Sequence, residues 1–238
     1  MKFSIFRGCC RHPLLPILPL AFFLLSCLPR TQPTLYVGTT LHDIRKIVVI
    51  GFQPALAPGQ ASGVTRGPVT GSVFMADPTT WVTSEGMTDR LFDNLNKIDA
   101  YDLITPGRAR GAFSGLIGGD AVLGEVELAQ RIGQAFAADA VLMGYIYRWR
   151  ERQGTDYAVN SPASVAFDLY LIGPEEGRIL WKGQFDKTQH SLSENLFDMS
   201  TFFRGKGKWM KVGELAEFGL ESVLSSLYKA TGVQEDEP

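Results

Sequence analysis

Residues 140–189 constrain the fold most, because three β-patterned runs follow one another there with only short turns between them. The first, Val141 to Arg152, alternates Met143, Tyr145, Tyr147 and Trp149 with Leu142, Ile146, Arg148, Arg150 and Arg152, the period of two that a pleated strand imposes. This pattern predicts an aromatic face and an arginine face at the strand's far end. The second run, Ser164 to Ile172, sets Val165, Phe167, Leu169 and Leu171 against Ala166, Asp168, Tyr170 and Ile172, and Gly173, Pro174 and Gly177 then supply turn chemistry. The third, Arg178 to Lys187, places Ile179, Trp181 and Phe185 on one side.

Upstream, Ile47 to Ile50 form an uninterrupted β-branched run within a strand expected from Lys46 to Phe52, suited to the middle of a sheet. Residues 53–83 follow as a long loop rich in Gly, Pro, Ser and Thr, of the kind that is functional or mobile in a compact domain. Helical spacing recurs over residues 84–97, through Met87, Leu91 and Leu95, and over 123–137, through Leu128, Ala129, Ile132 and Phe136. Tyr101 to Ile104 reads as a short strand. Thr105 and Pro106 offer an N-cap and a first-turn proline, although Gly111, Gly115, Gly118 and Gly119 weaken the helix they begin. A helix capped by Ser191 or Ser193 is expected over 194–203, and a final one over 213–229 with Ala216, Leu220, Val223, Leu224 and Leu227 on its core face. The fold class is therefore α/β of the α+β kind: one mixed sheet of about five strands packed by helices, with three sequential strands in the C-terminal half.

The N-terminus has the layout of an export signal: basic Lys2, Arg7 and Arg11, an apolar run from Leu14 to Leu25, then a small residue before Cys27. Pro16 and Pro19 interrupt that run, which is short for a membrane span. Leu24, Leu25, Ser26 and Cys27 resemble the lipobox of bacterial lipoproteins, which implies acylation at Cys27. Leu28 stands where such proteins usually carry an aspartate as a retention signal, so the resemblance implies delivery to the outer membrane, with the domain in the periplasm. The expected organisation is a signal peptide over 1–26, a lipidated tether over 27–45, a periplasmic domain over 46–231 and an acidic tail over 232–238. Cys9 and Cys10 fall in the discarded segment, leaving Cys27 with no internal disulfide partner.

The order of elements resembles the α/β domain shared by the curli-secretion (CsgG-like) lipoproteins and the lipoprotein activators of penicillin-binding proteins (LpoB-like). Ala137, Ala138, Asp139 and Ala140, followed by Val141, Leu142, Met143 and Gly144, are similar to that group's helix-to-strand junction, where the first position is commonly glycine. Residues 161–167, Trp181, residues 185–189 and residues 192–196 resemble segments of little-characterised lipoproteins of delta-proteobacteria. The resemblance covers roughly residues 44–230 and implies a non-catalytic envelope module that binds a protein partner. One alternative is a subunit of a curli-type channel, but a barrel strand takes about ten alternating residues, and Val73 to Val82, the one candidate in the long loop, contains Pro78.

Catalytic chemistry is hard to assemble. After signal removal His42 and His190 remain, far apart and without cysteine partners, so no zinc or metalloprotease motif is formed. Ser114 lies near glycines without the Gly-x-Ser-x-Gly spacing, and the glycine clusters match no nucleotide-binding pattern. No catalytic residue, metal ligand or cofactor is assigned; an envelope enzyme with an unrecognised site is the second alternative. The formal charge of −2 becomes −5 without the signal, which gives no support to nucleic-acid binding. Two basic clusters stand out as candidate partner or anion contacts: Arg148, Arg150 and Arg152 with Trp149, and Arg204, Lys206 and Lys208 with Trp209. Three arginines on one strand face repel unless solvated, paired or bound to an anion. The other reading of the stripe is a charged strand end that discourages edge pairing. No pattern sets an oligomeric state.

Overall fold

The computed structural model describes residues 41–116, 123–189 and 208–233, all within the unit Thr31–Pro238. The expected lipidation site Cys27, the helix over 194–203, and Arg204 and Lys206 lie outside the described residues. A five-stranded mixed sheet has the order β4-β1-β5-β8-β9. Its strands are β1 (Lys46–Pro54), β4 (Asp102–Ile104), β5 (Ala140–Arg150), β8 (Ser164–Ile172) and β9 (Ile179–Thr188), while β6 (Gln153–Gly154) and β7 (Val159–Ser161) pair with each other. β4, β1 and β5 run parallel, and β5, β8 and β9 are antiparallel. The three sequential strands are thus one continuous meander, and β1 sits inside the sheet as its β-branched run required.

Helices cover both faces. On one, α1 (Trp81–Asn96) and α4 (Val212–Thr231) bury Met87, Leu91, Leu95, Leu215, Leu220 and Leu224 against Val49, Leu142, Phe167, Trp181 and Phe185. On the other, α2 (Pro106–Leu116) and α3 (Glu125–Ala135) bring Ala109, Leu128, Ala129 and Ile132 against Val48, Val141 and Met143. The glycines do not stop α2 before Leu116. Leu41 and Ile44 are buried in the first core, so the last residues of the stretch expected as tether pack into the domain.

The helix-to-strand junction explains its own motif. Asp139 accepts the backbone N–H groups of Arg45 (3.0 Å) and Lys46 (2.8 Å) and so secures the start of β1. Ala137 turns the chain out of α3 with φ +46°, a left-handed conformation in which glycine is unstrained.

Three expectations are corrected. First, residues 53–83 are not a structureless loop: β2 (Gly63–Arg66) and β3 (Val73–Ala76) form an antiparallel hairpin, and α1 starts at Trp81, with Thr80 accepting from the Thr83 N–H as its N-cap. Secondly, β5 does not carry an aromatic face and an arginine face. A bulge between Ile146 and Arg148 leaves Tyr147 opposite no residue of β8, so the alternation shifts by one. Tyr147 stays with Met143 and Tyr145, Arg148 joins that side, and Trp149 packs on the α4 side. Thirdly, a register shift between Leu171 and Ile172 sends Ile179 to the face opposite Trp181 and Phe185.

Candidate binding face and the carboxylate beneath it

The β2–β3 hairpin has a buried face and an exposed one, because its four-residue strands alternate small or aromatic residues inward with aliphatic ones outward. Phe74 and Ala76 point in and are essentially inaccessible, whereas Val64, Val73 and Met75 are 71%, 57% and 55% exposed. Val64 and Met75 are direct cross-strand partners, as are Arg66 and Val73, so the outward side chains form a single patch. Phe74 stacks on Tyr147 with ring centroids 3.7 Å apart, and the Asp77 N–H donates to the Tyr147 carbonyl at 2.7 Å. The hairpin is thereby docked on the end of β5 that outruns β1.

Beneath it lies a fully buried carboxylate. Asp168 shares the β8 face of Ala166, Tyr170 and Ile172, and its Oδ2 accepts from the hydroxyls of Tyr147 (2.8 Å) and Tyr170 (2.5 Å). The Tyr170 hydroxyl also meets Thr70 Oγ1 at 2.9 Å. Lys182 Nζ, 5.6 Å from the centre of the Tyr170 ring, donates to Thr70 Oγ1 (3.2 Å) and Ser72 Oγ (2.5 Å). These contacts tie the hairpin turn to the sheet. Gly67 allows the close approach, since a Cβ there would come within 2.6 Å of the Tyr147 hydroxyl. Asp168 Oδ1 has no hydrogen-bond partner among the described residues.

Burial pushes the Asp168 carboxyl up to about 6, against the opposing pull of the two tyrosine hydrogen bonds and the Lys182 charge. Burial likewise raises the Tyr147 and Tyr170 phenols, with Asp168 adding to the shift, and lowers the Lys182 ammonium. Asp168 was visible in the sequence as one charge on an otherwise apolar strand face, but nothing there indicated that a hairpin from residues 63–76 would close over it.

The arginines are paired, each with a different carboxylate. Arg148, 7% exposed, donates to Ser164 Oγ (2.6 Å), the Met75 carbonyl (3.1 Å) and Asp186 (2.5 Å), linking hairpin, β8 and β9. Arg150 pairs with Asp77 at 2.6 Å. Arg152 pairs with Asp156 at 2.5 Å and donates to the Trp209 carbonyl at 2.7 Å. Arg148 and Arg150 lie on the end of β5 that outruns β1, where the Asp77 N–H donates to the Tyr147 carbonyl on the side that β1 leaves, and Arg152 follows the strand. Lys208 lies 3.7 Å from Asp156 and over the Tyr157 ring, and the backbone N–H of the half-buried Trp209 donates to the Asp156 carbonyl. The part of the second basic cluster that is described is thus joined to Arg152 through Asp156.

No family model and no curated protein matches the chain. Solved structures similar to it include the PelC dodecamer from Paraburkholderia phytofirmans, at 16% identity and TM-score 0.40 over 82% of this chain and 94% of that one. Lipoprotein GNA1162 from Neisseria meningitidis matches at 17% identity and TM-score 0.40, over 66% and 92%. The LpoB C-terminal domain from Salmonella enterica matches at 16% and 0.38, over 64% and 87%.

Among the described residues no cluster of three or more His, Cys, Asp or Glu side chains is placed to hold a metal ion, and no helix is long and apolar enough to cross a membrane. The arrangement presents an apolar patch outside and, underneath it, a polar network that holds the patch in place.

Proposed function

We propose that this chain is a non-catalytic binding or assembly module of the bacterial cell envelope, held at the outer membrane by lipid on Cys27. Its docking face for an envelope protein is the outer side of the β2–β3 hairpin. One observation carries this reading: three of the six exposed large hydrophobic side chains among the described residues, Val64, Val73 and Met75, stand together on the outer face of the hairpin. Scattered exposed apolar residues need no explanation, whereas a concentration in one segment is characteristic of an interaction site. Arg66 and the Asp77-paired Arg150 supply a charged rim of the kind that surrounds apolar interface centres.

A channel subunit is less favoured, since the hairpin strands have four residues each against the roughly ten of a membrane barrel strand. Catalysis by Asp168 is less favoured too, because its Oδ2 is held by the Tyr147 and Tyr170 hydroxyls in the network beneath the hairpin. A photo-crosslinker at Val73, exposed on the same face, is expected to capture one defined envelope protein, and Val64→Asp with Met75→Asp to abolish the capture while thermal stability is kept. Crosslinking undiminished in that double variant would refute the docking face. Cys27→Ala is expected to move the protein from the membrane to the soluble fraction, and unchanged fractionation would refute the anchor.

A further inference from the structure

A second site lies at the C-terminal end of β1, away from the hairpin patch. From β1 the chain passes through α1 to β4 on one side, and from β4 it returns through α2 and α3 to β5 on the other, with α1 and α3 on opposite faces of the sheet. β1 is therefore where the order of the parallel strands reverses, and open α/β sheets form ligand crevices outside the carboxyl ends of strands at such points. A cavity of about 420 Å³ is present there, within the range of small-molecule sites.

The walls define what fits. Ile50 and Phe52 of β1 and Leu128 and Ile132 of α3 make an apolar lining, and Trp81, 59% exposed, contributes from the first turn of α1. The charged lining residues Glu85 and Arg110 pair with each other at 2.9 Å, both more than half exposed. Ser84 also lines the cavity and is 1% exposed, yet its hydroxyl has no hydrogen-bond partner among the described residues. Thr88, one turn further along α1, shows the contrast: its hydroxyl accepts the Phe52 N–H at 2.8 Å and donates to the Ser84 carbonyl at 2.8 Å. An unmatched buried hydroxyl is costly, and an apolar wall offers few of the partners an ordered water would need.

The geometry points to a binding site for a neutral, largely apolar molecule with one hydroxyl or amide group that pairs with Ser84. Glu85 and Arg110 neutralise each other at the rim, so the lining offers a ligand no net charge to pair with.

The test uses N-phenyl-1-naphthylamine, an uncharged fluorophore that brightens in apolar surroundings, with the full chain lacking only its signal segment. Saturable one-to-one enhancement is expected. Ala109→Leu, which fills the cavity from α2, is expected to weaken it at least about tenfold, since a packed site resists added volume. 1-Monolauroylglycerol is expected to displace the probe at lower concentration than laurate, and Ser84→Ala to weaken the glyceride about 3- to 10-fold, as one hydrogen bond is lost. Absence of saturable binding, wild-type affinity in a folded Ala109→Leu protein, or displacement by laurate at equal or lower concentration would each overturn the proposal. Should Ala109→Leu fail to fold, the exposed Trp81→Ala substitution decides in the same way. The hairpin plays no part in this test, so its outcome is independent of the docking face.

Discussion

Replacing Asp168 by Asn removes a buried charge while keeping its shape, and the effect on stability is a slope in pH. The folded carboxyl titrates at about 6 rather than at its ordinary 3.8, so the native state holds the proton more tightly than the unfolded chain does. For a group shifted upward, the contribution to stability is fully present below about 3.8 and is lost as pH rises through about 6. A shift of this size is worth about 3 kcal/mol at 1.36 kcal/mol per pH unit. Wild type should therefore lose about 2 kcal/mol of this relative to Asp168→Asn between pH 4 and pH 7, the two curves running parallel above that. The amide brings an N–H group that also needs a partner, which offsets the absolute stability of the variant by a constant and leaves the slope intact. Urea unfolding of both proteins, followed by tryptophan fluorescence at pH 4, 5, 6, 7 and 8, measures the difference directly, and carboxylates common to both cancel. Parallel curves within about 0.5 kcal/mol over the whole range, or a wild type that gains on the variant as pH rises, would refute the account of Asp168 as a carboxylate destabilised by burial.

Other substitutions probe the remaining joints. Ala137→Gly should stabilise the fold by about 0.5–1 kcal/mol, because glycine relieves the left-handed conformation at some cost in chain entropy; chemical denaturation reads this out. Arg148→Met should destabilise by about 2 kcal/mol, less than for a fully buried pair because Asp186 is partly solvated, and hydrogen exchange should accelerate most across residues 63–77. Gly144→Ala should cost about 3 kcal/mol or abolish folding, since the new methyl would lie 2.5 Å from the Asp168 carbonyl oxygen and 2.7 Å from the Phe52 ring; circular dichroism against temperature tests it. Thr88→Val should lower stability by about 1–3 kcal/mol in the same melts, because it orphans the Phe52 N–H where β1 bulges at Gly51.

Apolar periodicity made the meander β5–β8–β9, the interior strand β1 and the core faces of α1, α3 and α4 legible, because alternation by two and recurrence near 3.6 are local consequences of backbone geometry. Ser164 to Ile172 was legible to the residue, both faces being apolar or aromatic apart from Ser164 and Asp168. The candidate sites were less accessible. Only the exposed positions Val64, Val73 and Met75 distinguish the hairpin from a glycine- and proline-rich loop, and four-residue strands leave too short a pattern to reveal their pairing. The cavity at β1 draws residues from four elements, and the unmatched Ser84 hydroxyl is a fact of three-dimensional hydrogen bonding with no sequence signature.

The chain's own residue order was enough to establish a mixed sheet packed by helices, since burial of patterned strands and helices has few solutions. It was not enough to say which way the side chains of β5 face beyond Ile146. One bulged residue reverses the alternation, moving Trp149 to one core and Arg148 to the other side beside Asp186. A bulge is specified by what packs around it: here Phe74 from the hairpin on Tyr147, and Asp168 accepting the Tyr147 hydroxyl from below. Those partners are 73 and 21 residues away along the chain, and their meeting is a property of the folded molecule.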